Sequence, residues 1–443
     1  MPEISSRFIA FSILDRYKPQ STNLSELLSS ALRKTSVNTD HGFIRELVWG
    51  VVRHLKTLDW MIGKCSDRKQ IDVAVRNILR LGLYQLIYSK DVPEYAALSE
   101  SVELSREIGK PAGAGFVNAV LRKAQQNRDV MALFDGCPDI TEAIALKFSY
   151  PLWMVKRWFE RYGARETVAF CEAGNLPPKL TIRANTSKIS REALRAALEE
   201  EGERTEECAF SPDGIRFISR PRLEKLLSFK QGLFCVQDEA SQLASYLLCP
   251  GKSDEILDLC SGAGIKSSHL AVLAGDKARI TAVDSSARQI ERAKDNLKRL
   301  GIKNIKLLKA DATKLENIKA RKVLVDAPCS GLGAIRHKPD IKWNRSQEDI
   351  TSRYPALQKA LLGAAAGYVK PGGTLVYCTC TTEPEENERV VDDFLSSNTG
   401  FCLAKPELPV RTEELAADGR FFRTFPHIHG TDAFFGARLT RIK

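Results

Sequence analysis

Through the first third of the chain, apolar residues recur at three- and four-residue spacing. Residues 6–17, 24–34, 41–63, 73–88 and 98–108 each carry such a stripe. That period predicts helices with one buried face. Pro19, Pro93 and Pro111 punctuate the segments. Asp40 and Ser99 stand where N-caps are expected, for helices starting near His41 and Glu100. No catalytic cluster interrupts the pattern, so residues 1–140 read as a helix bundle. Residues 141–250 are mixed. An amphipathic helix over 151–162 carries Trp153 and Trp158, Asn175-Leu-Pro-Pro breaks it, and Leu180-Thr-Ile-Arg alternates like a strand. A charged helix over 192–201, a turn at Asp213-Gly and a strand over 215–218 follow.

From residue 251 the period changes. Short apolar runs end at Cys260, Asp284, Lys309, Asp326 and Thr379, and helical stretches over 266–274, 286–300 and 354–369 fall between them. Strand, turn and helix in alternation predict a parallel sheet covered on both faces, whose ligands bind at the carboxyl ends of the strands. The expectation is a multidomain protein: an all-α bundle over 1–140, a mixed α/β connector over 141–250, and an α/β Rossmann-like domain over 251–443.

Composition narrows this picture. Of 443 residues, 43% are hydrophobic and 27% charged, which is globular. No apolar run approaches the roughly 18 residues a membrane span needs, and the start lacks signal-peptide features. A soluble cytosolic protein without a membrane partner is expected. The net charge of +11 favours a polyanionic partner such as nucleic acid. The eleven cysteines include no Cys-x-x-Cys pair, so free thiols are expected and a structural metal is not.

The first strand of the C-terminal domain runs into Asp258-Leu-Cys-Ser-Gly-Ala-Gly-Ile-Lys266. Gly262 and Gly264 allow a tight turn, and Gly264 lets a ligand approach the backbone. Asp284, twenty residues after Gly264, stands where a carboxylate meets ribose hydroxyls. Position 267 is Ser, so the dinucleotide pattern fails. The strand ends instead offer Asp258, Asp284, Asp311 and Asp326, which suit a sulfonium cation without phosphates. S-adenosylmethionine is favoured over a nicotinamide cofactor. Asp284 also stands where a helix N-cap is possible.

Two further strand ends carry thiols: Asp326-Ala-Pro-Cys329-Ser-Gly and Tyr377-Cys378-Thr379-Cys380. Adjacent parallel strands bring Cys329 and Cys380 to one rim beside Asp326. A thiolate adding to C6 of cytosine makes C5 nucleophilic enough to accept a methyl group, and a carboxyl such as Asp326 can orient the ring through N3.

These residues resemble a known family. Asp326-Ala-Pro-Cys-Ser-Gly, Arg336-His-Lys-Pro-Asp-Ile-Lys-Trp343, Thr379-Cys380 and Pro384-Glu-Glu-Asn-Glu388 resemble the RNA cytosine-C5 methyltransferases of the NOP2/Sun class, and Gln237-Asp-Glu-Ala-Ser241 resembles the segment preceding their cofactor domain. Arg76-Asn-Ile-Leu-Arg-Leu-Gly-Leu-Tyr-Gln85 and Gly115-Phe-Val-Asn-Ala-Val-Leu-Arg122 resemble the NusB-type RNA-binding fold. The combination resembles the bacterial branch that acts on 16S rRNA. It implies that Cys380 attacks C6 and that Cys329 assists product release. It further implies that Cys260, Ser261, Gly262, Ala263, Gly264, Ile265, Lys266, Asp284, Asp311 and Asp326 line the S-adenosylmethionine site.

There are departures: Ala263 and Ile265 replace a proline and a glycine usual in the family, and Cys378 replaces a serine. Ala263 should loosen the turn, and Ile265 should restrict positive φ. For RNA, Arg336, Lys338, Lys342 and Trp343 combine charge with an aromatic ring after Cys329, suited to phosphate contact and base stacking. The other reading of Trp343 is a core anchor, with Arg336 and Lys338 paired to acids. The expected partner is the 16S rRNA of the small subunit, free or early in assembly, met by a monomer. The alternatives are a tRNA methyltransferase of the same chemistry and a non-catalytic assembly factor retaining the fold. A DNA cytosine methyltransferase would need no Thr-Cys motif.

Overall fold

The computed structural model describes residues 5–35, 39–126, 137, 139–219, 221–409, 412–416 and 418–443. The chain divides into two compact units, one built of residues 1–176 with 335–345, the other of residues 177–334 with 346–443. The helices at Ile140–Lys147 and Leu152–Asn175 therefore join the bundle rather than the connector. Among the described residues, no helix is long and apolar enough to cross a membrane.

The helical unit follows the periodicity closely. Helices span Ser6–Arg16, Leu24–Leu32, His41–Arg53, Leu55–Cys65, Val73–Ile87, Glu94–Glu107 and Pro111–Gln126. The stripe over 41–63 is two helices, broken at His54, whose ring stacks on Tyr88 at 3.7 Å. Asp40 caps the first of them by accepting from Phe43 N. Ser99 caps nothing: its helix already begins at Glu94, after Pro93, and Ser99 Oγ donates back to Ala96 O. Ile44, Leu47, Val51, Ile78 and Leu121 are among the buried core residues. A Cβ at Gly50 would lie 2.0 Å from the Tyr84 ring, so this crossing demands glycine.

The second unit holds two sheets. The smaller comprises β1 (Thr181–Ala184), β2 (Thr205–Glu207), β3 (Gly214–Phe217) and β4 (Phe234–Val236), in the order β2-β3-β1-β4, all antiparallel. The larger comprises β5 (Glu255–Asp258), β6 (Arg279–Asp284), β7 (Ile305–Lys309), β8 (Ala320–Asp326), β9 (Val369–Thr379), β10 (Phe401–Ala404), β11 (Phe422–Thr424) and β12 (Phe434–Arg441). Its order is β10-β12-β9-β8-β5-β6-β7, with β11 on β12. The stretch from β9 to β7 is parallel, and β12 runs antiparallel against β9. The sheet is thus Rossmann-like and mixed rather than wholly parallel, because the last third of the domain folds back as antiparallel strands.

The chain leaves β5 toward β6 on one side and returns as β8 on the other. That reversal opens a crevice above the carboxyl end of β5. Asp258, Asp284, Asp326 and Thr379 all lie at that rim.

Candidate active site

The loop after β5 turns on two left-handed glycines, Gly262 at φ 52° and Gly264 at φ 73°, and Ile265 begins the helix Ile265–Leu273. Neither Ala263 nor Ile265 stands in the left-handed region, so neither departure from the family motif strains the turn. Asn296 Nδ2 donates to Ala263 O at 2.9 Å and anchors the turn where the proline is missing. A Cβ at Gly262 would meet nothing within 4 Å, which leaves this face open to a ligand.

Asp284 closes the loop from the next strand. Its Oδ2 accepts from Gly262 N at 2.9 Å and its Oδ1 from Ser286 N at 2.8 Å. Ser286, not Asp284, caps the following helix. Asp258 is wholly buried, and its Oδ2 accepts from Ser267 Oγ at 2.6 Å. Burial, opposed by the Ser267 bond and helped by Asp326, pushes its carboxyl up to about 7. Asp258 Oδ1 and Ser261 Oγ are buried without hydrogen-bond partners. Asp311 lies further out: it is exposed, and its Oδ1 accepts from Thr313 N and Thr313 Oγ1.

Across the crevice, Lys266 Nζ donates to Asp326 Oδ2 at 2.6 Å. Burial pulls the ammonium down, but Asp326, Cys378 and Cys380 outweigh it and hold its pKa above the ordinary lysine value. Cys378 Sγ lies 3.5 Å from Asp326 Oδ1. Burial first, then Asp326, pushes the Cys378 thiol well up. The sulfurs of Cys329 and Cys380 lie 3.3 Å apart, in hydrogen-bond contact. That contact and burial push the Cys329 thiol well up. All eleven cysteines are free thiols.

The two thiol loops are stapled together. Ala327 N donates to Cys378 O and Gly333 N to Cys380 O, both at 2.9 Å. A Cβ on Gly333 would fall 2.1 Å from Ala433 O, so this approach also requires glycine. Residues without an assigned role prove to surround the cysteines. Glu386, Gln358, Ser330 and Thr381 form a buried network beside them. The Pro384-Glu-Glu-Asn motif was the one signal in the sequence that pointed there. Arg183, on β1 and wholly buried, donates to Ile265 O at 3.2 Å and Ser268 Oγ at 2.9 Å, tying the small sheet to the cofactor-loop helix. No sequence signal marked it.

Residues 335–345 belong to the helical unit. The expected RNA contacts Lys342 and Trp343 are corrected by their surroundings. Lys342 is completely buried, and its Nζ donates to Arg53 O, Ser149 O and Asn175 Oδ1 at 3.1, 3.0 and 2.6 Å. It also sits 3.6 Å from the Tyr150 ring centroid. Trp343 packs against the bundle core, and its Nε1 donates to Val52 O at 2.7 Å. Both anchor their segment, and neither presents its polar group to a nucleic acid. Arg336 is half-buried and Lys338 exposed.

Comparison with known proteins bears on the whole chain. Residues 245–440 match the family model for 16S rRNA methyltransferase RsmB/F, residues 4–126 the NusB family, and residues 150–223 the ferredoxin-like domain of RsmF/B-like methyltransferases. The ribosomal RNA small subunit methyltransferase B of Escherichia coli is 33% identical over 441 residues, covering 98% of this chain and 98% of that protein. The chain belongs to the RsmB family of small-subunit rRNA methyltransferases. Among solved structures, PH0851 aligns at a TM-score of 0.79 and 27% identity, covering 98% of this chain and 99% of that one. NSun6 from Pyrococcus horikoshii, solved with SFG, aligns at 0.59 and 26% identity, covering 65% of this chain and 97% of its own. Family membership agrees with the fold: a NusB-type bundle, a ferredoxin-like connector and a Rossmann-like methyltransferase domain.

Proposed function

We propose that the chain transfers a methyl group from S-adenosylmethionine to C5 of a cytosine in 16S rRNA, with Cys380 as the nucleophile and Cys329 as the thiol that assists release. The observation that carries this reading is the pair of sulfurs 3.3 Å apart at adjacent strand ends, beside the Lys266–Asp326 ion pair.

The crevice fits the methyl donor. Its rim is acidic at Asp284 and Asp326, the Lys266 ammonium is already paired with Asp326, and the buried Ser261 Oγ and Asp258 Oδ1 are unpartnered. That donor set suits a cationic adenosine compound without phosphates. The Cys260–Lys266 loop with Asp284 and Asp326 would hold it, and Asp311 would contribute from the periphery. When bound, the cofactor supplies an electrophilic methyl group. NSun6, solved with SFG, supports the same choice.

The chain's own residues perform the rest. The Cys380 thiolate adds to C6 of the cytosine, and the C5–C6 π electrons become available at C5 for the new carbon–carbon bond. The C5 proton then leaves to a base, the C6–S bond breaks, and the electron pair returns to sulfur. Cys329, against Cys380, serves this last stage. Asp326, held by Lys266, orients the ring through N3, which takes up a proton shared with this carboxyl group as negative charge develops on the ring. The base must be unstacked to reach the rim, which agrees with free or early-assembly rRNA as the substrate. Lys338 and Arg336 remain the candidate phosphate contacts from the 336–343 segment.

The test is methyl incorporation into 16S rRNA with sequencing of the modified base. Cys380→Ala should lower transfer on the order of 10³-fold or more and form no covalent adduct, whereas Cys329→Ala should accumulate a denaturation-resistant protein–RNA adduct. A fully active Cys380→Ala enzyme would refute the assignment.

A further inference from the structure

We propose that Glu386 is the positioning residue that sets Cys329 against Cys380 for the release step; this rests on the two-cysteine reading above. Its carboxylate holds the residues following both cysteines. Oε2 accepts from Ser330 N at 2.8 Å, and Oε1 accepts from Thr381 Oγ1 at 3.3 Å. The hydroxyls of Ser330 and Thr381 are themselves 2.9 Å apart. The same Oε2 accepts from Gln358 Nε2 at 3.0 Å, and that nitrogen also donates to Pro328 O at 3.0 Å. The carbonyl before Cys329 and the N–H after it are therefore pinned through one oxygen atom.

Glu386, Ser330 and Gln358 are wholly buried, and Thr381 is nearly so. Tyr377 OH donates to Glu386 O at 2.5 Å and fixes the carboxylate's own backbone to β9. The hydrogen bonds to this carboxylate come from a peptide N–H, a hydroxyl and an amide. A buried carboxylate met by such donors is costly to desolvate. Packing alone would favour an apolar side chain. What this carboxylate adds is a multi-point grip that fixes the distance between two loops, each carrying a thiol. Release needs that distance held to a fraction of an ångström, since a misplacement near 1 Å costs on the order of 10²-fold in rate.

A purely structural role and a positioning role predict different products. Loss of fold lowers methyl transfer and adduct together. Loss of Cys329 placement leaves Cys380 free to attack and starves the release step, so adduct rises as transfer falls. The experiment incubates the full-length enzyme with 16S rRNA and S-adenosylmethionine, and scores methyl transfer and denaturation-resistant adduct on the same samples. Glu386→Ala is expected to lower turnover about tenfold and raise adduct about tenfold above wild type. Glu386→Gln, which keeps an acceptor oxygen, should return both turnover and adduct most of the way to wild type. Gln358→Ala, which frees only Pro328 O, should raise adduct by a smaller factor and carries the test if Glu386→Ala does not fold. If Cys329→Ala traps adduct while the folded Glu386 and Gln358 variants trap none, the positioning role is wrong and the two-cysteine reading stands. If Cys329→Ala itself traps none, that reading falls and the role of Glu386 falls with it.

Discussion

Lys266 and Lys342 both turn an ammonium group into protein, one in each compact unit, and their environments are opposite. Lys266 faces a carboxylate at 2.6 Å and two thiols, which hold its pKa above the ordinary lysine value against the pull of burial. Lys342 faces backbone carbonyls, an amide oxygen and a tyrosine ring, with Arg53 adding to the effect of burial, and its pKa is driven well below the lysine norm. The first arrangement keeps a charge where a reaction develops charge. The second spends hydrogen bonds to lock a peptide segment onto a bundle. Burial of a lysine is therefore not by itself a sign of function; the sign is the titratable partner across from it.

That contrast can be broken at either end. Lys266→Met leaves Asp326 without its counter-charge, and methyl transfer should fall about 10²- to 10³-fold; thermal unfolding of the same variant separates the rate effect from a loss of fold. Lys342→Met strands several buried carbonyls and should cost the helical unit about 3 kcal/mol, read as a lowered urea midpoint, while the rate at saturating RNA stays near wild type. Equal losses of rate in the two variants would erase the distinction.

Asp258 sharpens the comparison through pH. Its folded pKa, raised by burial to about 7, exceeds the unfolded carboxylate value, so the folded state binds the extra proton. Stability from this group is present at low pH and is lost as pH rises toward 7. Between about pH 5.5 and about pH 8 the loss should be about 2 kcal/mol, and Asp258→Asn should flatten that part of the urea-midpoint profile. The smallest effect is expected at Lys338. Lys338→Ala should weaken RNA binding only a few-fold and lower the slope of log affinity against log salt by about 1, with no change in melting temperature. A Lys338→Ala slope equal to wild type would remove this residue from the RNA interface.

Much of this was legible beforehand because the signals are local. A 3.6-residue apolar period marks the bundle, and alternating strand and helix with Asp at the strand ends marks the methyltransferase sheet. The spacing of Asp326, Cys329 and Cys380 names the candidate chemistry. The misreadings were non-local. Ser99 has the composition and spacing of a cap, but the helix already begins at Glu94 behind Pro93. Lys342 and Trp343 looked like RNA ligands because a basic, aromatic loop after a catalytic motif has the same composition whether it meets phosphate or a helix bundle. Arg183 lies 82 residues from Ile265, whose carbonyl it holds, and no periodicity reports such a bond.

The sequence alone determined the fold class of each part, the chemistry available at the strand ends and the kind of polymer the protein meets, since periodicity, side-chain type and charge are properties of the chain itself. Tertiary structure alone decided that two sulfurs 51 residues apart come to 3.3 Å, that Lys266 keeps its charge opposite Asp326, and that residues 335–345 leave their sequence neighbours to complete the helical unit. Those outcomes depend on which groups lose water together, and that is settled only when distant segments pack.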